Sequence, residues 1–306
     1  MQTPFFTRIT LPSVGNCLVV NRNIAHSMAY LTIAQFCRVG PPGWSVSLAV
    51  LSRMTQRNLL LEEMTSPEVA AALAAGVTSV VIAVGAVEQH GPHLPLLVDA
   101  ARGDRLAVEV AKLIGGALVA PTIRIGCSEH HMSFAGTLSL RRQTLEAICL
   151  DYTVSLARHG FRNVYFVPSH GGNFGPLADM LDDLRAAVAP DCTVHAYTNL
   201  IGFMGFWQEA VAAESPGLEG RVGGHADIAE SSEMLCIRPD LVHEDRAEEG
   251  LVAHFDDALA ERIFRDGFRS VTPNGILGDA RGMSKAIGER CIRNAAEGIA
   301  SDLMGS

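Results

Sequence analysis

Glu88 and Asp99 stand eleven residues apart with His90 between them, in the segment Glu88-Gln89-His90-Gly91-Pro92-His93-Leu94-Pro95-Leu96-Leu97-Val98-Asp99. Carboxylate oxygens and imidazole nitrogens are the donors that a Zn- or Mn-type divalent ion takes. Residues i and i+2 of an extended chain project to the same side, so Glu88 and His90 can address one point in space. The run before them, Val77 to Val87, is apolar and rich in β-branched residues, which predicts a buried strand. Gly91 and Pro92 end that strand and leave the polar groups at its carboxyl end, where open α/β sheets place their ligands.

Three more polar clusters follow. His170 ends a second apolar run, Asn163 to Pro168 plus Ser169, and leads into Gly171-Gly172-Asn173. The glycines let the backbone come close to an ion or substrate, and Asn173 can cap the next helix or donate to a ligand. Two parallel strands that each end in a histidine converge on one rim. In Glu129-His130-His131-Met132-Ser133-Phe134-Ala135-Gly136-Thr137 the adjacent histidines project to different sides, so one of the two is expected at a shared site. In Gly223-Gly224-His225-Ala226-Asp227-Ile228-Ala229-Glu230, His225 and Glu230 would diverge by about 140° on a straight helix. They share a site only if His225 precedes the helix, and the paired glycines favour that.

The elements that must position these groups read clearly from Met54 onward. Ser66 is the expected N-cap of an alanine-rich helix with Pro67 at its first position, running to about Ala75. Ala100 to Ile114 and Leu140 to His159 are helical in period, the second ending at Gly160. Ala117 to Pro121 is a short apolar run, Gly175 to Val188 a helix, and Thr193 to Asn199 a strand. Strands alternating with such helices imply a mostly parallel sheet covered on both faces. One α/β domain over 54–306 is the simplest organisation. Residues 1–53 lack this order and read as an N-terminal extension or an over-long reading of the open frame.

Bulk composition narrows the classes of function. A chain of 306 residues can bury a large core. The mean hydropathy is +0.21, yet no apolar stretch approaches the 18 residues of a membrane helix. A formal charge of -9 and no basic run argue against nucleic acid or an anionic membrane as partner. The seven cysteines, Cys17, Cys37, Cys127, Cys149, Cys192, Cys236 and Cys291, are odd in number and never form C-x-x-C. That usage is expected of reduced thiols in a soluble cytoplasmic protein.

The Glu88 to Leu96 block with Asp99, then Phe134-Ala135-Gly136-Thr137, His170-Gly171-Gly172-Asn173, and His225-Ala226 with Glu230-Ser231-Ser232 resemble, in order, the motifs of the creatininase (creatinine amidohydrolase) family. Gly275-Ile276-Leu277-Gly278-Asp279 and the alanine-rich segment after it are similar to that family's C-terminal end, so the resemblance covers roughly 60 to 303. It implies a three-layer α/β/α sandwich with a mostly parallel central sheet. It also implies two divalent ions per chain (Zn, Mn or Fe), a water activated between them, and hydrolysis of a non-peptide C–N amide bond in a small, in some members cyclic, substrate. A homo-oligomer such as a hexamer is the expected assembly.

Carried over by motif, Glu88, Asp99 and His170 would hold one ion, and His90 and Asp99 the second, with Asp99 bridging. His225 would shuttle a proton, Glu230 would serve as a further carboxylate ligand or orienter, and His130, Gly136, Thr137, Gly171, Gly172 and Asn173 would surround the substrate. Two departures matter. Gly172 stands where creatinine-cleaving members carry a second-metal glutamate, so Glu230 or a water must complete that shell. The substrate-covering tryptophan of those members has no counterpart in Arg221-Val222-Gly223-Gly224, which leaves Phe203, Phe206 and Trp207 as candidate covers. The HGGN form is closer to relatives that deformylate a formamidopyrimidine or trim a modified peptide in mycofactocin assembly. The alternatives are therefore a deformylase or modified-peptide hydrolase of the family, or a metal-binding scaffold without turnover.

Overall fold

The computed structural model describes residues 6–9, 18–21, 59–253 and 255–305. The chain divides into two units, 1–47 and 48–306. In the first, β1 (Phe6–Ile9) pairs antiparallel with β2 (Leu18–Asn21). The remainder of the extension read over 1–53, with Cys17 and Cys37, lies outside the described residues.

The second unit begins with α1 (Ser66–Ala74). Its N-cap is Thr65, one residue before the expected Ser66, because the Glu68 carboxylate accepts both the Thr65 N–H and its hydroxyl at 2.7 Å and closes the first turn. A parallel sheet follows, in the order β4 (Ala117–Val119), β3 (Ser79–Val84), β5 (Asn163–Pro168), β6 (Thr193–Ala196). Between the strands run α2 (Val98–Ile114), α3 (Arg142–His159), α4 (Phe174–Val188) and α5 (Leu200–Glu214). Gly160 ends α3 in the left-handed region, φ +105°, as its position after the last periodic residue predicts.

Alternation along the strands separates the two faces. Val80, Ile82, Val84, Val164 and Phe166 pack with Leu145, Cys149 and Leu156 of α3 and Leu177, Met180 and Leu184 of α4. Val81, Ala83, Tyr165 and Val167 face the other way. They meet Leu106 and Val110 of α2, Phe203 and Trp207 of α5, and the C-terminal helix α8 (Lys285–Gly305). This is the three-layer α/β/α arrangement. The strands are apolar on both faces, as parallel strands under helices must be.

A small antiparallel pair, β7 (Val222–His225) with β8 (Leu277–Gly278), sits apart from the sheet in the hydrogen-bonding sense and feeds α6 (Ile228–Ile237). The helix α7 (Asp257–Asp266) lies in the long connection between them. Helix α8 packs most extensively on α6, and Gly288 is the reason the two can approach. A Cβ there would fall on the main-chain carbonyl of Ser232. We expect Gly288→Ala to force the helices apart at a cost of about 1–3 kcal/mol, read as a lowered Tm. An unchanged Tm would show that α6, which carries Glu230, is not held by this contact.

Candidate metal centre

Glu88 and His90 lie just past the end of β3, Asp99 in the first turn of α2, and His170 two residues beyond β5. His225 is the last residue of β7 and Glu230 lies in the first turn of α6. All six side chains are buried. His225 thus precedes the helix, the one arrangement in which it can share a site with Glu230. Ala226 makes the turn between them at φ +52°, a costly conformation for a residue with a Cβ. Asp227 clasps that turn: one carboxylate oxygen accepts the N–H groups of Gly223 and Gly224 at 2.8 Å each, and the other those of Ala229 and Glu230 at 2.8 and 3.2 Å. The Ala226 N–H in turn donates to Glu230 Oε2 at 2.6 Å.

Main-chain carbonyls set the direction of the three central imidazoles. His90 donates from Nδ1 to the Glu88 carbonyl at 3.1 Å, His170 from Nε2 to the Cys127 carbonyl at 3.0 Å, and His225 from Nε2 to the Gln89 carbonyl at 2.9 Å. Each ring therefore turns its other nitrogen toward the centre, the usual outer-sphere device for a metal-ligating histidine. His90 Nε2 lies 3.6 Å from both Asp99 Oδ2 and Glu230 Oε2. His170 Nδ1 lies 3.2 Å from Glu88 Oε1 and 3.6 Å from Asp99 Oδ2. His225 Nδ1 is 3.8 Å from Glu88 Oε1 and 4.0 Å from Glu230 Oε2.

Both Glu88 oxygens, His90 Nε2 and Asp99 Oδ2 are buried without a hydrogen-bond partner. Leaving such groups unpaired away from water is costly, and a divalent ion would satisfy them. Three overlapping donor sets converge within 4.8 Å: Glu88, Asp99 and His170; His90, Asp99 and Glu230; and Glu88, His90 and His225. Mixed carboxylate and imidazole donors suit Zn, Mn or Fe.

The charges respond to this crowding. Burial raises the Glu88 carboxyl against the pull of His170. Burial opposes a charge on His90, yet Asp99 and Glu230 lift its ring to about 9. The same opposition at His170 is overcome by Glu88 and then Asp99, again to about 9. His225 is pushed well below its ordinary value by burial and then by His90. It is therefore neutral, with a bare Nδ1 facing the centre.

The other expected residues divide. His130, Gly171 and Gly172 line the cavity over this centre, about 670 Å³ including its mouth. Thr137 does not line it, since its hydroxyl accepts the Gln89 N–H at 3.2 Å. Asn173 is equally committed, holding the Cys127 N–H and the carbonyls of Val84 and Gly85. Gly136, φ +90°, turns the chain beside Leu96, away from the cavity. A Cβ at Gly172 would meet the Cys127 carbonyl and the His170 ring, so no carboxylate fits there without displacing a ligand.

His130 and His131 both face the cavity, contrary to the expectation of one. They sit on a 3₁₀ turn, Glu129–His131, where successive side chains are about 120° apart. His131 Nδ1 accepts from the Gln89 side chain at 3.0 Å and Nε2 approaches Glu88 Oε1 at 3.3 Å. Of the expected covers, Phe203 and Trp207 line the cavity, but Phe206 packs against Gly298. The remaining wall, Phe255, Ile263, Phe264 and Phe268, comes from α7 and its flanks, a segment whose sequence carried no chemical signal. Arg102, buried beside Asp99, was also not anticipated.

Comparison with known proteins follows the same lines. The creatininase family model, described as creatinine amidohydrolase, matches residues 62–303. A mycofactocin precursor peptide peptidase of Mycobacterium ulcerans (strain Agy99) is 32% identical over 73% of this chain and 83% of its own. A creatinine amidohydrolase of Pseudomonas putida is 30% identical over 80% of this chain and 95% of its own. The solved structure named "Creatininase Mn" superposes with a TM-score of 0.69 at 29% identity, covering 81% of this chain and 98% of that one.

With His90 and His170 lifted to about 9 when no ion is bound, both rings carry a proton at pH 7.5. Metal loading must displace those protons. Titration calorimetry in buffers of different ionisation enthalpy should show their release and an affinity that climbs with pH up to about 9. Loading without proton release would exclude these rings as ligands.

Proposed function

The chain belongs to the creatininase family and is a metal-dependent hydrolase of C–N bonds, and from that premise we propose the ligand set and the class of amide it cleaves. Glu88, Asp99 and His170 hold one ion, and His90, Asp99 and Glu230 the other, with Asp99 common to both. The convergence of unpartnered, buried oxygens and nitrogens from these residues carries the reading. Zinc, manganese or iron would serve; one related creatininase structure is described as "Zn-Zn type" and another as "Mn". A cytoplasmic homo-oligomer, such as a hexamer, belongs to the same reading.

Bound ions supply Lewis acidity, polarising an amide carbonyl and lowering the pKa of water. The chain's own residues do the rest. His225, neutral and with Nδ1 bare, accepts a proton from water in the cavity and returns it to the departing nitrogen, which leaves poorly as an anion. Its Nε2–H, committed to the Gln89 carbonyl, keeps the ring in that tautomer. Phe255, Phe264 and Phe268 exclude water above the centre and offer an apolar wall.

That wall favours an amide flanked by an apolar group over a small polar ring. Two readings follow, a small amide or the amide of a modified peptide, and the relatives named mycofactocin precursor peptide peptidase favour the second. Assay of the Mn- and Zn-loaded protein on cyclic ureas, lactams, formamides and short peptides with apolar termini separates them. Metal-dependent release of amine from the peptides alone selects the second; from lactams or cyclic ureas, the first; no turnover on any leaves the scaffold reading.

Expected variants are specific. Asp99→Ala should remove both ions and all activity. His225→Ala should keep the metal content and Tm but lower kcat by about 10²- to 10⁴-fold, with partial recovery on substrates bearing better leaving groups. Lost metal in His225→Ala would make this residue a ligand, in the third donor set, rather than a proton carrier.

A further inference from the structure

Arg102, on α2, is buried, and the four polar partners of its guanidinium belong to the segments that carry the proposed ligands. Nη1 donates to Glu230 Oε1 and lies 3.5 Å from Glu233 Oε2. Nη2 donates to the carbonyl of Ser169, the residue before His170, and lies 3.3 Å from Asp99 Oδ1. The guanidinium carbon lies over the Trp207 ring at 4.8 Å and the Phe203 ring at 5.7 Å from their centres. Glu233 Oε1 accepts the Trp207 indole N–H at 3.3 Å, closing the ring of contacts.

We propose that Arg102 is a positioning residue that restricts Asp99 and Glu230 to one donor oxygen each toward the ions, and holds α2, β5 and α6 in register around them. The inference rests on the ligand set proposed above. Each carboxylate is split in the same way. Asp99 gives Oδ1 to Arg102 and turns Oδ2 toward His90 and His170, both at 3.6 Å. Glu230 gives Oε1 to Arg102 and turns Oε2 toward His90 at 3.6 Å. A carboxylate freed of its arginine can bind one ion through both oxygens, which consumes the coordination position that a substrate carbonyl needs. With Oδ1 engaged, Asp99 would have Oδ2 left to offer the ions.

Only a planar fork does this. A lysine ammonium is a point charge and cannot bond Glu230, the Ser169 carbonyl and Asp99 at once while lying over an indole. Glu233 Oε2 lies beside the same Nη1 that donates to Glu230, so Arg102 and Glu233 are neighbours whose joint removal leaves neither one buried alone.

The test compares wild type, Arg102→Lys, and the double variant Arg102→Met with Glu233→Met. Each is loaded with Mn(II), bound ions are counted by equilibrium dialysis, and electron paramagnetic resonance separates a spin-coupled pair from isolated ions. Folding is checked by circular dichroism and Tm. Wild type should bind two ions with a coupled spectrum. Both variants should fold and lose affinity for the second ion by about 10- to 100-fold, with the coupled spectrum altered or lost. Wild-type affinity and an unchanged coupled spectrum in the double variant overturn the proposal. If the double variant fails to fold, the same result in Arg102→Lys overturns it. Wild type binding fewer than two ions defeats the ligand set itself, and this inference falls with it.

Discussion

Burying a carboxylate without a partner is among the most expensive things a fold can do, and this chain does it at Glu88, with neither oxygen hydrogen-bonded, beside a bare Asp99 Oδ2 and a bare His90 Nε2. Ring nitrogens of His170 and His90 stand 3.2 Å from Glu88 Oε1 and 3.6 Å from Asp99 Oδ2 and offset part of the charge. Arg102 offsets a further part of the negative charge through Asp99 and Glu230. The remainder faces a cavity, where divalent cations would meet it. The sheet, the clasp at Asp227 and the close α6–α8 contact all serve to keep these groups from moving apart.

The backbone does more of the positioning than the side chains. Three imidazoles are oriented by three carbonyls, those of Glu88, Gln89 and Cys127, each offered by a segment that has just left a strand or loop and has no ladder partner to satisfy. This fixes which nitrogen is bare without using a second carboxylate for each ring. Asn173 performs the complementary task, tying the β3 end to the loop that carries Cys127 and thereby to His170.

Membership of the creatininase family accounts for the metal-dependent C–N hydrolysis, whereas the details of this chain bear on what is cleaved. A Cβ at Gly172 would collide with the Cys127 carbonyl and the His170 ring, and Glu230 turns Oε2 toward His90 instead. The cover is aromatic and comes from around α7, with Phe264 59% exposed at the mouth. A wall of this kind would suit an apolar neighbour of the amide, which is the reading proposed above.

The sequence by itself determined the strands and the polar groups that follow them. Asn163 to Pro168 reads as a buried strand and is one, whereas the run Val77 to Val87 forms a strand only over Ser79–Val84, the chain leaving the ladder at Gly85 and carrying Glu88 and His90 a few residues beyond its end. The i, i+2 spacing placed Glu88 and His90 together, and the paired glycines placed His225 before its helix. Only the tertiary structure decided the rest, because it turns on groups brought together from distant segments. Arg102 reads as a solvated helix residue until α6 and the Trp207 face of α5 are laid against it. Thr137 and Asn173 read as substrate groups, but the loops they bridge are far apart in sequence and claim their hydrogen bonds first. His130 and His131 diverge on an extended chain and converge on a 3₁₀ turn, and no local pattern announces which backbone they adopt. The aromatic cover around α7 is ordinary in sequence and becomes part of the site only because the chain returns over the centre before β8 pairs with β7.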